Sequence, residues 1–154
     1  MKIFSLKSFI LISLFIMISV TSFAQKKVYN EKADSLKDII EAVAKAKTTG
    51  KNVFIMVGGN WGAWCNLFDK FSKETPEISK VLNDNYIEVC VSARENRDLL
   101  VKYKIPNSFP VFIILNSDGK IIHKQLSTLL EEEDGYSKQK TLDFMLKWTP
   151  SAMK

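Results

Sequence analysis

An unbroken apolar run, Val53-Phe-Ile-Met-Val57, stops at Gly58-Gly59 and is followed by Trp61, Trp64 and Cys65. The run is too short for a helix and lacks the alternation of a half-exposed strand, so it predicts a central strand covered on both faces. The two glycines break it. Leu67, Phe68 and Phe71 then recur at helical spacing, which puts Cys65 in the first turn of a helix. Unpaired N–H groups and the positive end of the helix dipole lower a thiol pKa at such a place, the usual physical setting of redox cysteines.

Residues 1–24 carry Lys2 and Lys7, an apolar run from Phe9 to Val20 and the small residues Ser22 and Ala24. This reads as a secretory signal peptide cleaved after Ala24, with residues 25–154 as the mature domain. The competing reading is an uncleaved anchor, for which the run is shorter than the roughly 18 to 20 residues a span needs. Export, to the periplasm or outside the cell, and no stable membrane insertion after signal removal are therefore expected. Removing Lys2 and Lys7 from the 22 basic residues leaves 20 against 17 acidic, a net of +3 in place of +5. The basic residues are dispersed among acids, which argues against nucleic-acid binding. Two cysteines and one histidine cannot by themselves make a four-ligand zinc site, and neither a metal nor a cofactor is expected.

Along the mature chain, Leu36, Ile39, Ile40, Val43 and Ala44 mark an amphipathic helix over Glu31 to Lys47. The strand over 53–57 follows, then the cysteine helix, kinked or restarted at Pro76. Tyr86 to Val91 is a second apolar strand at the end of a crossover, making a βαβ unit. Glu95 to Tyr103 reads as a short helix with Leu99 and Leu100 inward. Phe109 to Leu115 is a strand, Asn116-Ser-Asp-Gly119 a turn and Lys120 to Gln125 the returning strand. A terminal helix starts near Ser137.

Gly59-Asn-Trp-Gly-Ala-Trp-Cys65 resembles the G-x-W-C-x-x-C segment of the thioredoxin superfamily. Tyr103-Lys-Ile-Pro-Asn-Ser-Phe-Pro110 is similar to that family's stretch leading to a cis-proline, and the Asn116-Ser-Asp-Gly119 hairpin lies just beyond it. The resemblance runs from Glu31 to Trp148 and is nearest to small secreted thioredoxin-like proteins. It implies a thioredoxin-like α/β fold, a central mixed sheet of about four strands flanked by helices, with an N-terminal helix before the first strand.

What the resemblance implies about activity is altered at one position. A dithiol oxidoreductase needs an exposed thiolate to attack and a second thiol to resolve the mixed disulfide. The family's first cysteine falls at Gly62, so the two-cysteine route is excluded for this chain acting alone. The resemblance places Cys65 one helical turn deeper, Cys90 where thioredoxins often carry a buried lysine, and Met56 where they carry a buried acid. An apolar replacement of a buried ion pair can be neutral or stabilising, which fits a scaffold that has lost its proton relay. Three readings of Cys65 stay open: a monothiol redox group, a member of a different disulfide, or a residue of a non-redox binding module. Free cysteines usually behave as small buried hydrophobes, and two reduced, buried thiols are expected at Cys65 and Cys90.

The candidate catalytic residue is thus Cys65, and the candidate binding residues are Trp61, Gly62, Ala63, Trp64, Phe109 and Pro110. In the family the backbone beside the cis-proline pairs with an extended substrate segment, and such strand addition needs no thiol. The expected partner is an extended peptide or partner protein at the Trp61/Pro110 surface. Trp61 and Trp64 are equally open to a packing role. His123 reads as a satisfied or half-exposed side chain, and Glu131-Glu-Glu-Asp134 as a solvated loop.

Overall fold

The computed structural model describes residues 27–153. The signal segment and its cleavage after Ala24 lie outside the described residues. Helix α1 runs Ser35–Thr49, opened by Asp34, whose side chain accepts the Lys37 N–H at 3.1 Å, and closed by Gly50 at φ +66°. The start predicted at Glu31 is too early, because the Asp34 cap sets the first turn. Strand β1 is Asn52–Gly58 and is buried along its whole length. Helix α2, Ala63–Glu74, ends at Thr75, and Pro76 then occupies the first turn of α3, Pro76–Asn85. Pro76 restarts the helix, since a proline there loses only an N–H that has no intrahelical partner.

Strand β2 is Tyr86–Ser92, α4 is Arg97–Lys102, β3 is Val111–Leu115 and β4 is Ile121–Leu126. The sheet has the order β2-β1-β3-β4; β1 and β2 are parallel, and β3 is antiparallel to both β1 and β4. It is therefore the mixed four-stranded sheet expected, with a helix ahead of the first strand. Phe109 and Pro110, predicted inside β3, precede it; proline has no N–H for the ladder.

One prediction is met only in part, since Glu132, Glu133 and Asp134 are exposed. Glu131 to Asp134 is not simply a solvated loop: Glu131–Glu132 (β5) pairs with Gly135–Tyr136 (β6) in a small hairpin, with Glu133 at φ +51° in its turn. The hairpin forms because Tyr136 is drawn into the core beside Phe68 and Phe71. Helix α5, Lys138–Lys147, follows directly and closes the chain onto the sheet.

The apolar run of β1 divides between the two faces of the sheet, as the period of a strand requires. Phe54 and Met56 join Phe68, Phe112, Phe144, Tyr86 and Tyr136 in an aromatic core under α2, α3 and α5. Val53, Ile55 and Val57 join Val89, Val91, Val111, Ile113 and Leu115 in an aliphatic core under α1. Phe68 sits 4.4 Å from Phe112, centroid to centroid, so truncating it to alanine costs about 3 to 5 kcal/mol in transfer and cavity terms.

Helix α1 is rotated from the predicted inward face. Ala42 and Ala46 are buried against the sheet, whereas Leu36 and Ile40 are 49% and 60% exposed and Ala44 is exposed. Small alanines let the helix approach closely, which turns the larger side chains toward an apolar groove beside α4. Leu99 and Leu100 are half-buried along that groove.

Candidate functional site

The site starts where β1 ends. The turn after Gly58 is closed by the Gly62 N–H, which donates to the Gly59 carbonyl at 2.9 Å. Gly62 is the N-cap of α2, and its carbonyl accepts the Asn66 N–H at 3.1 Å. Cys65, the third residue of α2, is 0% exposed. Its sulfur fills space that two glycines leave open. A Cβ added at Gly62 would lie 2.7 Å from Sγ, and one added at Gly58 would collide with Sγ and lie 2.7 Å from the Tyr29 hydroxyl.

Tyr29 reaches this spot from before α1 and is held there by Asn60. The Tyr29 N–H donates to Asn60 Oδ1 at 3.0 Å, Asn60 Nδ2 donates to the Tyr29 carbonyl at 2.8 Å, and Asn66 Nδ2 donates to the Asn60 carbonyl at 3.1 Å. The Tyr29 hydroxyl is buried without a hydrogen-bond partner. Burial, and then the neighbouring Cys65, hold its pKa far above the usual phenol value. On the other side Met56 is the register partner of Cys90 in β2. The positions where the resemblance puts a buried acid and a buried lysine are thus a thioether and a thiol, side by side. Burial, then Glu88 and Asp69, push the Cys90 thiol up to about 12. Both cysteines are free, Cys65 buried and Cys90 partly buried.

The outer part of the site is different in kind. Trp61 is 44% exposed, yet its indole is fixed on three sides. It lies against Gly59, where any Cβ would collide with it, meets Phe109 edge to face at 5.7 Å and 84°, and carries the Arg94 guanidinium 4.8 Å above its ring. The Phe109–Pro110 peptide bond is cis. Among the described residues, neither the N–H nor the carbonyl of Phe109 takes part in a backbone hydrogen bond outside the regular elements. Ala63 is exposed at the start of α2, and Pro110 is buried. Trp64 turns inward instead: it packs edge-on against Tyr136 at 5.5 Å, and the Tyr136 hydroxyl donates to its carbonyl at 3.2 Å.

The family model Thioredox_DsbH, described as a protein of unknown function, DUF255, matches residues 18–143. The chain belongs to this DsbH-like thioredoxin family. Over 59 residues it is 37% identical to an uncharacterised protein of Caenorhabditis elegans and 36% identical to spermatogenesis-associated protein 20 of Rattus norvegicus. That stretch is 38% of this chain and spans only 8% of the length of either relative. The crystal structure of a disulphide isomerase from Xylella fastidiosa Temecula1 superposes with a TM-score of 0.70 and 26% identity, covering 80% of this chain and 98% of that one. A thioredoxin from Thermus thermophilus superposes with a TM-score of 0.55 at 18% identity, covering 70% and 81%, a likeness of fold.

In this DsbH-like thioredoxin domain the predicted site residues fall into two groups. Trp61, Gly62, Ala63 and Phe109 lie toward the surface, while Cys65, Trp64 and, against the expectation of a surface role for its side chain, Pro110 belong to the packed interior. Sequence reasoning missed Tyr29, Asn60, Arg94 and Arg97. The arginines could have been suspected from their place just after the end of β2, where loops at the carboxyl ends of parallel strands converge; Tyr29 and Asn60 carry no periodic signal. His123 stacks on Trp148 at 4.3 Å and its Nε2 lies 3.2 Å from Gln125 Oε1, a satisfied structural role. Among the described residues no helix is long and apolar enough to cross a membrane, and no group of His, Cys, Asp and Glu is arranged to hold a metal ion.

Proposed function

We propose that this DsbH-like thioredoxin domain is an exported module that binds an extended segment of a partner protein beside Trp61, Phe109 and Pro110, without dithiol chemistry. The observation that carries the reading is the division of the site. The single sulfur of the cysteine segment is wholly buried, whereas Trp61 is exposed and the half-buried Phe109 beside it makes no backbone hydrogen bond outside the regular elements among the described residues. An attacking thiolate must reach its substrate, and strand addition requires only exposed backbone groups and a flanking side-chain platform. Export rests on the charged, apolar and small-residue pattern of residues 1–24.

A second reading, monothiol chemistry at Cys65 in envelope thiol–disulfide homeostasis, draws on its place in the first turn of α2 and on the likeness to a disulphide isomerase. Alkylation of the native protein at neutral pH separates the two. The binding module leaves Cys65 unmodified until denaturant is added and shows no turnover of insulin disulfides. It also binds a reduced, carboxamidomethylated, unfolded polypeptide with a shift of the Trp61 indole N–H resonance. Rapid native labelling of Cys65, together with disulfide exchange that disappears in Cys65→Ser, overturns the binding reading in favour of the second.

A further inference from the structure

The cleft beside Trp61 is charged on one wall. It is an open cleft of about 410 Å³, lined by Trp61, Phe109, Leu100, Asn107, Arg94 and Arg97, among others. Both arginines are exposed, and among the described residues neither has a carboxylate within 4.0 Å. Glu95, next to Arg94 in sequence, accepts a hydrogen bond from the Ser92 hydroxyl and forms no ion pair with either arginine. Asp98 is exposed on α4 and forms no ion pair with either arginine.

Arg94 is positioned as well as charged. Its guanidinium carbon lies over the Trp61 ring, 4.8 Å from the centroid, and a guanidinium held over an aromatic face can still offer its N–H groups to a carboxylate in a forked pair. Because Trp61 is itself held by Gly59 and Phe109, the arginine rests on a fixed surface and loses less freedom when a ligand arrives. The apolar floor provided by Leu100, Phe109 and Trp61 lowers the local dielectric around such a pair and strengthens it.

We infer that this cleft selects an extended peptide carrying a carboxylate, received by Arg94 and Arg97 while the backbone of the peptide lies along Phe109. The inference rests on the binding reading and names its ligand class. The carboxylate can come from an acidic side chain or from a chain terminus, and the shared chemistry is the planar anion.

Three short peptides of otherwise identical sequence test it, followed through the Trp61 indole resonance and by calorimetry. One has a central Glu and both ends blocked, one a central Gln and both ends blocked, and one a central Gln with a free C-terminal carboxylate. The Glu peptide is expected to bind about tenfold more tightly than its blocked Gln counterpart. That advantage should shrink as salt is raised from about 0.05 M to about 0.5 M, and the ratio should fall to near one in the Arg94→Gln/Arg97→Gln variant at an unchanged thermal midpoint. An equal gain for the free-terminus peptide supports the same recognition with the terminus as its source. Equal binding of the two blocked peptides by the wild-type protein overturns the charge selection and leaves the binding module standing. If none of the three binds, the module itself falls, and the charge selection with it.

Discussion

The Sγ of Cys65 stands 2.7 Å from the point that a Cβ on Gly62 would occupy. A side chain at position 62 and the Cys65 thiol would therefore be immediate neighbours, and the sulfur fills part of the space that Gly62 leaves open. Gly62 is at φ −88°, which any L-residue adopts, so its glycine is a matter of space and chemistry, not of backbone.

Restoring a thiol at this place should restore chemistry. Gly62→Cys is expected to form a disulfide with Cys65 under oxidising conditions and to gain measurable disulfide reductase or oxidase turnover. Gly62→Ala supplies the crowding carbon without the sulfur and should lose about 1 to 3 kcal/mol in denaturant unfolding. A folded Gly62→Cys protein with no turnover would mean that Met56, Cys90 or occlusion limits the site more than the absent cysteine does.

Asn60 ties the segment around Tyr29 to the turn through two backbone hydrogen bonds. Asn60→Ala leaves both Tyr29 backbone groups without those partners and should cost about 1 to 3 kcal/mol. It should also speed native alkylation of Cys65, because Tyr29 covers the sulfur. Unchanged stability with unchanged labelling would show that the clamp contributes nothing.

The Tyr29 hydroxyl is buried and unpartnered. Tyr29→Phe keeps the ring and removes an oxygen whose desolvation is uncompensated, so the unfolding midpoint should rise, by about 1 kcal/mol in stability. A fall of similar size would mean that the hydroxyl is hydrogen-bonded to the Cys65 sulfur in solution.

Stability should decline in alkali through Cys90. Its folded pKa of about 12 lies above that of an unfolded thiol, so the folded state keeps a proton that the unfolded state releases. The contribution is complete below the unfolded value of about 8.5 and is lost at up to about 1.4 kcal/mol per pH unit between there and the folded value. Buried Tyr29, Tyr86 and Tyr136 are also raised and add to the decline only from about pH 10. Urea unfolding at pH 8 and pH 10 should therefore show a decline that Cys90→Val flattens; equal slopes for wild type and variant would rule out Cys90 as its source.

The sequence by itself determined the central strand, the βαβ crossover and the hairpin after Asn116, because each rests on local terms: an apolar run, breaking glycines and turn chemistry. The tertiary structure decided which face of α1 turns inward, since close packing against the sheet favoured Ala42 and Ala46 over the bulkier Leu36 and Ile40. It also decided that Glu131 to Tyr136 forms a hairpin, because burying Tyr136 in the aromatic core outweighs the polarity of the run that precedes it. The surroundings of Cys65 were legible only in three dimensions. Tyr29 lies far from it along the chain, and no periodicity connects them; they meet because Asn60 holds the irregular segment around Tyr29 against the turn that presents Cys65. The same holds for Arg94 over Trp61, a contact between loops at the ends of β1 and β2 that exists only once the two strands lie side by side.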